Sequence, residues 1–259
     1  MDSQLRKVLL VFSALILGTY SLAAADLVQP EILAKPKLKA KDSWVFRIND
    51  RSKNGETKER HVGLSIVRSS ANSVLQSAKA ADSSKPALEK LLGADLSLSD
   101  SINGQTVVVH KPFDFPMKIG KKWSVSYEKE NPTKSLKKHA VELRYEGIGW
   151  EEVSVPAGTF QAFKIEAEGT WRDEFNPTPM TVGSATQLDK DGAVIVVKNQ
   201  KPFTPATITG KIFRTYWYVP AVKREVKSIE EQFSSDGSLS GESTWELESS
   251  QVDGPGNKK

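Results

Sequence analysis

The side chains that most often carry catalysis are sparse in this sequence and lie far apart. The chain has no cysteine, which excludes thiol catalysis, disulfides and Cys-ligated metal centres. His61, His110 and His139 are 49 and 29 residues apart on segments with strand-like composition, so they form no local metal-ligand motif. No nucleophile elbow, H-E-x-x-H motif, phosphate loop or dinucleotide fingerprint occurs. The sequence therefore predicts no metal, no cofactor and no catalytic residue.

Two weaker acidic patterns also fail as catalytic or metal sites. Asp189 and Asp191 are spaced as in a calcium loop, but Ala193 replaces a third oxygen donor and Gln200 replaces the closing glutamate. Neighbouring carboxylates such as Glu151-Glu152 point to opposite faces of a strand, so they cannot act together on one bond. We therefore expect a protein that is not an enzyme. An envelope hydrolase is the third hypothesis, and it would require acidic or histidine side chains that converge only in the fold.

The aromatic residues remain as candidates for binding. The chain has six tryptophans, five tyrosines and ten phenylalanines. Core packing explains most of them, but several could line a concave apolar surface of the kind found at the mouths of barrels. Trp123, Phe163 and Trp217 are the predicted ligand-binding residues.

Alternating segments that predict antiparallel strands carry these aromatics. Residues 122–128 place Trp123, Val125 and Tyr127 on one face, and residues 139–145 repeat the pattern. Between such segments stand four pairs that favour tight turns: Asn54-Gly55, Asn103-Gly104, Asp191-Gly192 and Asp236-Gly237. The sequence Val155-Pro156-Ala157-Gly158 predicts a further hairpin, with a three-residue loop and a bulge.

Two later segments are apolar on both faces, which requires cover on both sides of the sheet. Residues 193–197 form a continuous apolar run, and residues 212–219 carry large apolar side chains on both parities. The predicted fold class is therefore mainly β, with a strongly curved antiparallel sheet that forms a half-barrel or incomplete barrel. One short helix is expected over residues 84–93, with Ser84 as N-cap, Leu88, Leu91 and Leu92 as its apolar stripe and Gly93 at its end.

The first residues of the chain indicate export, and the rest of the chain divides into three further segments. Residues 1–25 have a basic start, an apolar stretch ten residues long from Val8 to Leu17 and a small-residue site before Asp26, as in a secretory signal peptide. Residues 26–41 are predicted to be an extended basic leader with Lys35, Lys37, Lys39 and Lys41, interpreted as a solvated linker or as a contact to anionic surfaces. Residues 42–249 are predicted to be a single antiparallel β domain, and residues 250–259 a disordered tail. No transmembrane segment is expected in the mature chain.

Composition limits the partners. Apolar content of 38% and a net charge of +4 exclude an intrinsically disordered chain. Charge is nearly balanced and no basic face is interleaved with aromatics, so nucleic-acid binding is not expected.

Three motifs resemble those of a set of uncharacterised bacterial envelope proteins. These are V-P-A-G-T-F at residues 155–160, W-Y-x-P at residues 217–220, and P-x-K-x-G-x-x-W at residues 116–123. The resemblance covers about residues 112–233. It implies an exported protein rich in antiparallel strands, similar in outline to the lipoprotein-carrier half-barrels of the periplasm, and it carries over no catalytic residue.

The first hypothesis for function is an exported, non-enzymatic β-protein of the periplasm, or a secreted one if the cell is not Gram-negative. It would bind a lipid or another apolar or amphipathic molecule of the cell envelope. The alternative is an interaction or assembly module that holds an envelope protein through an exposed sheet edge or through its basic leader.

Overall fold

The computed structural model describes residues 29–176, 179–188, 194–202 and 207–252. The predicted signal peptide at residues 1–25 lies outside these residues, as does the end of the predicted tail from residue 253. Fourteen strands occur in the described residues: β1 (Ser43–Ser52), β2 (Thr57–Ser69), β3 (Ser73–Ala80), β4 (Leu88–Gly93), β5 (Leu98–Ile102), β6 (Gln105–His110), β7 (Lys122–Glu130), β8 (Leu136–Val155), β9 (Gly158–Phe175), β10 (Pro179–Leu188), β11 (Val194–Pro202), β12 (Thr207–Val219), β13 (Arg224–Ser234) and β14 (Leu239–Gln251).

Ten of the strands form one antiparallel sheet in the order β4-β3-β2-β1-β14-β13-β12-β9-β8-β7. The sheet consists of two meanders, β1 to β4 and β7 to β14, and the second is interrupted by the β10-β11 hairpin, so that β9 pairs with β12. The two meanders join where β1, near the start of the chain, pairs with β14 at its end, with Asp50 opposite Ser243. The pairs β5-β6 and β10-β11 form separate two-stranded sheets.

The alternating segments form strands as predicted, and their apolar faces form the core. Val125, Val141, Leu143 and Tyr145 are all at most 5% exposed, while Trp123 and Tyr127 are half-buried on the same face. Three of the four predicted turns are confirmed, because Gly55, Gly104 and Gly237 all have positive φ. The fourth, Asp191-Gly192, lies outside the described residues.

The two segments expected to be apolar on both faces give different results. In β12, Ile212, Tyr216 and Tyr218 are buried in the core, whereas Phe213 on the opposite face is 37% exposed. Only one face of this part of β12 is therefore fully covered. The run at residues 193–197 lies outside the residues whose side chains the structure describes.

The sheet is open, and the tip of one hairpin contacts a strand that is not its neighbour in the sheet. At the end of the β8-β9 hairpin, the backbone N–H of Ala157 donates to the carbonyl oxygen of Leu247 on β14, at 2.9 Å. A bulge in β8 at Gly147 and Gly149 bends the strand. A Cβ on Gly147 would lie 2.6 Å from the Lys118 carbonyl oxygen, so glycine permits this close approach.

The predicted three-residue loop of that hairpin is wrong. Val155 pairs directly with Gly158, so only Pro156 and Ala157 connect β8 to β9. A two-residue connection is the commonest kind of hairpin loop, and here Gly158, with φ of 131°, takes the backbone conformation that follows it.

The β5-β6 hairpin lies beside the open edge formed by β7. Asp100 on β5 accepts a hydrogen bond from Lys129 Nζ on β7 at 2.6 Å, and the Trp123 indole N–H donates to the Lys111 carbonyl oxygen just after β6, at 2.9 Å. In the described residues the sheet does not close into a barrel, since β4 and β7 are its two edges. The predicted mainly antiparallel, unclosed sheet is therefore observed.

The predicted short helix over residues 84–93 is wrong. Leu88–Gly93 forms the strand β4, which pairs with β3 so that Leu88 lies opposite Ala78. The spacing of Leu88, Leu91 and Leu92 fits a helix, but in the fold Leu88 and Leu91 are 60% and 62% exposed and only Leu92 packs on the core. The strand satisfies the N–H and C=O groups along the edge of β3, which a helix could not do. No helix occurs elsewhere in the described part of the chain.

The basic leader is extended but is not a free linker. Leu33 is 3% exposed and forms an isolated bridge with Met117, and Leu38 is also buried. Lys35, Lys37, Lys39 and Lys41 all remain exposed. At the other end of the chain, β14 continues to Gln251, so the first two residues of the predicted disordered tail belong to a strand.

Candidate functional site

Five polar side chains lie in a row across the inner face of the sheet, which is mostly apolar outside β13. They are Arg60 on β2, Asp50 on β1, Ser243 on β14, Glu230 on β13 and Arg214 on β12, and we call them the polar band. Asp50 lies opposite Ser243, Ser243 opposite Glu230, and Glu230 opposite Arg214. Because residues directly opposite in a sheet share one face, neighbouring strands bring these five side chains together.

Their face is the core-facing one. Ile48 and Asp50 have the same parity on β1, and Ile48 is fully buried. In the same way, Arg214 lies between Ile212 and Tyr216, which are 2% and 7% exposed. The side chain of Arg214 is accordingly only 13% exposed, whereas that of Glu230 is 33% exposed.

Each charge of the polar band has a partner of opposite sign. Arg60 Nε donates to Asp50 Oδ2 at 2.9 Å, and the Ser243 hydroxyl donates to Asp50 Oδ1 at 2.7 Å. Arg214 Nε lies 2.6 Å from Glu230 Oε2. Burial disfavours the charge on Asp50, but the hydrogen bonds from Ser243 and Arg60 outweigh it and lower the pKa of this carboxyl. The band is thus a set of compensated ion pairs.

Neutral polar groups surround Arg214. His110 Nδ1 lies 3.4 Å from Arg214 Nη1, and its ring centroid is 6.1 Å from that of Tyr216. Burial, together with the nearby Arg214 charge, lowers the pKa of His110 to about 3, so the imidazole is neutral near pH 7. Burial also raises the pKa of the Tyr145 and Tyr216 hydroxyls, which stay protonated. These groups offer hydrogen bonds without adding charge.

A cavity of about 640 Å³ lies against the polar band. Its volume is in the range of cavities that hold one small molecule. One part of its wall is apolar, and Val62, Leu64, Leu96 and Phe113 are all less than 9% exposed. The rest of the wall is polar, charged or aromatic, and its members are Arg60, Gln76, Lys79, Lys90, His110, Tyr216, Arg224, Glu225, Ser228, Glu230, Ser243 and Trp245.

Two larger hollows, of about 1160 and 990 Å³, lie mainly on the outer face of the long strands. The first is lined by exposed polar residues such as Ser126 and Glu128, with Phe213 and Phe233 stacked edge to face at 5.8 Å. Of the three, the inner cavity has the most buried apolar side chains in its wall, among them Val62, Leu64 and Phe113. The inner cavity is therefore the better candidate for a binding site.

The three residues predicted to bind a ligand do not form one surface. Trp123 faces inward and stacks on Tyr145, with ring centroids 5.3 Å apart. Phe163 is 1% exposed and packs edge to face on Trp150. Trp217 lies on the outer face, where its indole N–H donates to Glu151 Oε1 at 2.6 Å. None of the three lines the inner cavity.

The three histidines are also separated. His61 Nδ1 lies 2.9 Å from Glu248, and His139 Nδ1 lies 2.6 Å from Asp173, while His110 faces the inner cavity. Within the described ranges, no group of three or more histidine or acidic side chains could hold a metal ion. The same ranges also contain no helix that is both long and apolar enough to cross a membrane.

Sequence reasoning missed the polar band, although one signal was present. Arg214 interrupts the inward-facing series of Ile212, Tyr216 and Tyr218, where an apolar residue would continue the pattern. A charged residue in phase with a core face indicates either a buried ion pair or a site. Its partner Glu230 has no such signal, because the inward face of β13 is polar over several residues.

Comparison with known proteins shows a distant likeness to three solved structures. One is a Bacteroides fragilis protein named as an exported protein with a YmcC-like fold. It is 14% identical in sequence with a TM-score of 0.42, and the match covers 86% of this chain and 100% of that chain. A protein named as a lipoprotein from Parabacteroides distasonis has 16% identity and a TM-score of 0.45, with the same coverage. The hypothetical lipoprotein YmcC from Escherichia coli has 12% identity and a TM-score of 0.26 over 78% of this chain and 83% of its own. No family model and no curated protein matches the sequence.

Proposed function

We propose that this chain is an exported, non-enzymatic protein that binds an apolar or amphipathic molecule of the cell envelope in its inner cavity. The periplasm is the proposed location, on the basis of the signal-like residues 1–25. The observation that carries the binding proposal is the two-part wall of the cavity, with buried Leu64 and Phe113 on one side and Glu230 and Ser243 on the other.

The physical argument is one of matching surfaces. An apolar wall that encloses a hollow gains free energy when it contacts a hydrocarbon rather than water, by about 25 cal/mol for each Å² of apolar surface removed from water. The polar side chains on the opposite wall would be costly beside hydrocarbon but can hydrogen-bond a polar headgroup. A molecule with one apolar and one polar end satisfies both walls.

Filling the cavity tests the proposal. Ala78 lines the cavity on β3, and its neighbour Ser77 belongs to the opposite face of the same strand and does not line it. We expect Ala78→Trp to weaken binding of the dye N-phenyl-1-naphthylamine at least about tenfold, because the indole would occupy the hollow. Ser77→Trp is the matched control and should bind the dye as the unaltered protein does.

The measurement is dye fluorescence during titration, followed by displacement with lipids extracted from the envelope. Organic extraction and mass spectrometry of the purified protein give a second, independent readout. Equal dye binding by both tryptophan variants would place the dye elsewhere and contradict the proposed cavity. Absence of both dye binding and co-purified lipid would favour the alternative, an assembly module that uses the β4 edge, where Leu88 and Leu91 are exposed.

A further inference from the structure

Arg224 places a buried cation in the wall of the inner cavity. It is the first residue of β13, and its side chain is only 8% exposed. Nη2 donates to Glu225 Oε1 at 2.8 Å, but Nε and Nη1 are buried and have no hydrogen-bond partner among the described residues. Cζ lies 4.9 Å from the centroid of the Trp44 ring, which attracts the charge but offers no lone pair to these N–H groups. Two nitrogens of a buried guanidinium are therefore available to a ligand.

The charges around the cavity do not cancel. Four cationic side chains and two carboxylates line it, namely Arg60, Lys79, Lys90 and Arg224, with Glu225 and Glu230. Asp50 pairs with Arg60, and Arg214 pairs with Glu230. Including these two partners leaves the same excess of positive charge. Such a cavity attracts a negative headgroup and repels a positive one.

Lys90 brings part of this charge to the edge strand β4. It is exposed and lies opposite Gln76, which also lines the cavity. Lys90 forms no ion pair in the described part of the chain. Lys129, 2.6 Å away, lowers the pKa of Asp100, and Lys90 adds only a weaker attraction to the same carboxylate. The charge of Lys90 is therefore available to a ligand that enters the cavity.

An anionic oxygen matches these groups. It accepts hydrogen bonds from a guanidinium and supplies the negative charge that the cavity wall lacks. Gln76 Oε1 is also buried without a partner, and rotation of this amide would present its N–H groups to a ligand oxygen instead. An uncharged headgroup could accept the same hydrogen bonds but would leave the positive charge unbalanced. A cationic headgroup could do neither.

We infer that the inner cavity selects amphiphiles with an anionic headgroup, a carboxylate or a phosphate ester, which Arg224 binds through Nε or Nη1 and Lys90 attracts at the cavity edge. This inference rests on the proposed function, since it names the headgroup of the molecule that the same cavity would bind. The hydrocarbon chain contacts the apolar wall that includes Val62 and Leu64. Glu225 competes with the ligand for Arg224 and so limits its affinity.

Four probes that share an eight-carbon chain test the inference, each used below its micelle concentration. They are octanoate, octyl phosphate, octyl β-glucoside and octyltrimethylammonium. In isothermal titration calorimetry near pH 7, octanoate or octyl phosphate should bind at least about tenfold more tightly than the other two, about the value of one hydrogen bond to a charged group. The ranking of the two anions distinguishes a carboxylate from a phosphate headgroup.

Two variants at the buried ion pair locate the anion. Glu225→Gln removes the carboxylate that competes for Arg224, so octanoate should gain roughly tenfold relative to octyl glucoside. Adding Arg224→Gln removes the guanidinium without leaving Glu225 as a buried unpaired charge. In this double variant, the preference for octanoate over octyl glucoside should fall at least about fivefold from that of the unaltered protein.

Two variants at exposed lysines keep the test independent of folding. Lys90→Gln should weaken octanoate binding about threefold, because it removes a positive charge at the cavity edge. Lys85→Gln is the matched control, since it removes the same charge from an exposed lysine that precedes β4 and does not line the cavity. The control should bind octanoate as the unaltered protein does.

The outcomes separate the two levels of the argument. If octyl glucoside or octyltrimethylammonium binds as tightly as the better anion, the headgroup inference is wrong while the cavity proposal stands. The same conclusion follows if the double variant keeps its full preference for octanoate, or if Lys90→Gln and Lys85→Gln lose equal affinity. If none of the four probes binds although N-phenyl-1-naphthylamine does, the headgroup inference again fails. If the dye does not bind either, the proposed function itself fails.

Discussion

The ion pair between Asp42 and Lys223 offers a sharp test of how the ends of the fold are held together. Asp42 immediately precedes β1, and Lys223 immediately precedes β13. Lys223 Nζ lies 2.8 Å from Asp42 Oδ2, and the two side chains are only 10% and 2% exposed. Asp42 Oδ2 also accepts the backbone N–H of Lys39 at 2.8 Å, so this carboxylate ties the basic leader to the sheet.

Asp42→Asn keeps an oxygen for the Lys39 N–H but removes the charge that faces Lys223. Removing one partner of a buried pair leaves an uncompensated charge and costs about 3 kcal/mol, at the lower end of the usual range because Lys223 retains a little exposure. We expect the free energy of unfolding, measured by urea denaturation, to fall by that amount. The midpoint should shift while the slope stays constant, since the fold is the same.

Two comparisons make this result interpretable. Adding Lys223→Met to Asp42→Asn removes the buried charge, so the double variant should be more stable than Asp42→Asn alone. Glu146→Gln disrupts the ion pair with Lys122, whose side chains are 42% and 72% exposed, and should cost no more than about 0.5 kcal/mol. A loss below about 1 kcal/mol in Asp42→Asn, or no recovery in the double variant, would refute the reasoning that this pair is buried and mutually dependent.

Two further predictions concern packing and pH. A Cβ on Gly210 would collide with the Phe233 carbonyl oxygen and would lie 2.7 Å from the Trp171 ring, so Gly210→Ala should lower the free energy of unfolding by about 1 to 3 kcal/mol. Gly241→Ala is its control, because the nearest atom to the added Cβ is 3.7 Å away, and a loss as large as that of Gly210→Ala would contradict the packing argument. Burial disfavours the charge on Glu246, yet hydrogen bonds from Arg47 and Lys227 prevail and lower the pKa of its carboxyl. The stabilisation from the charged Glu246 is fully present above the pKa that this carboxyl has in the unfolded chain. It is lost as the pH falls through the lower pKa of the folded protein. On acidification, the melting temperature of Glu246→Gln should therefore decline less than that of the unaltered protein.

Local pattern was sufficient to predict most of the strands. The alternation of residues 122–128 and 139–145 depends on side chains that are neighbours along one strand, and positive φ at Gly104 and Gly237 depends on the turn alone. The failure at Leu88–Gly93 has a different origin. Three leucines there fit one stripe of a helix. The backbone N–H and C=O groups of β3 with which this segment pairs are 8 or more residues away in the chain, so no local sequence pattern indicates the pairing.

The amino-acid sequence by itself determined that this protein is built from antiparallel strands with apolar inner faces, because alternation and turn residues act over a few neighbouring positions. The tertiary structure alone decided that Trp217 faces outward while Arg214 and Glu230 meet beneath a cavity. The polar band draws its members from positions 50, 60, 214, 230 and 243. The β12-β13 and β13-β14 pairings bring Arg214, Glu230 and Ser243 together, and the pairing of β1 with β14 adds Asp50 and Arg60 to them. That pairing joins the two ends of the chain, and such a long-range contact depends on the packing of the whole sheet.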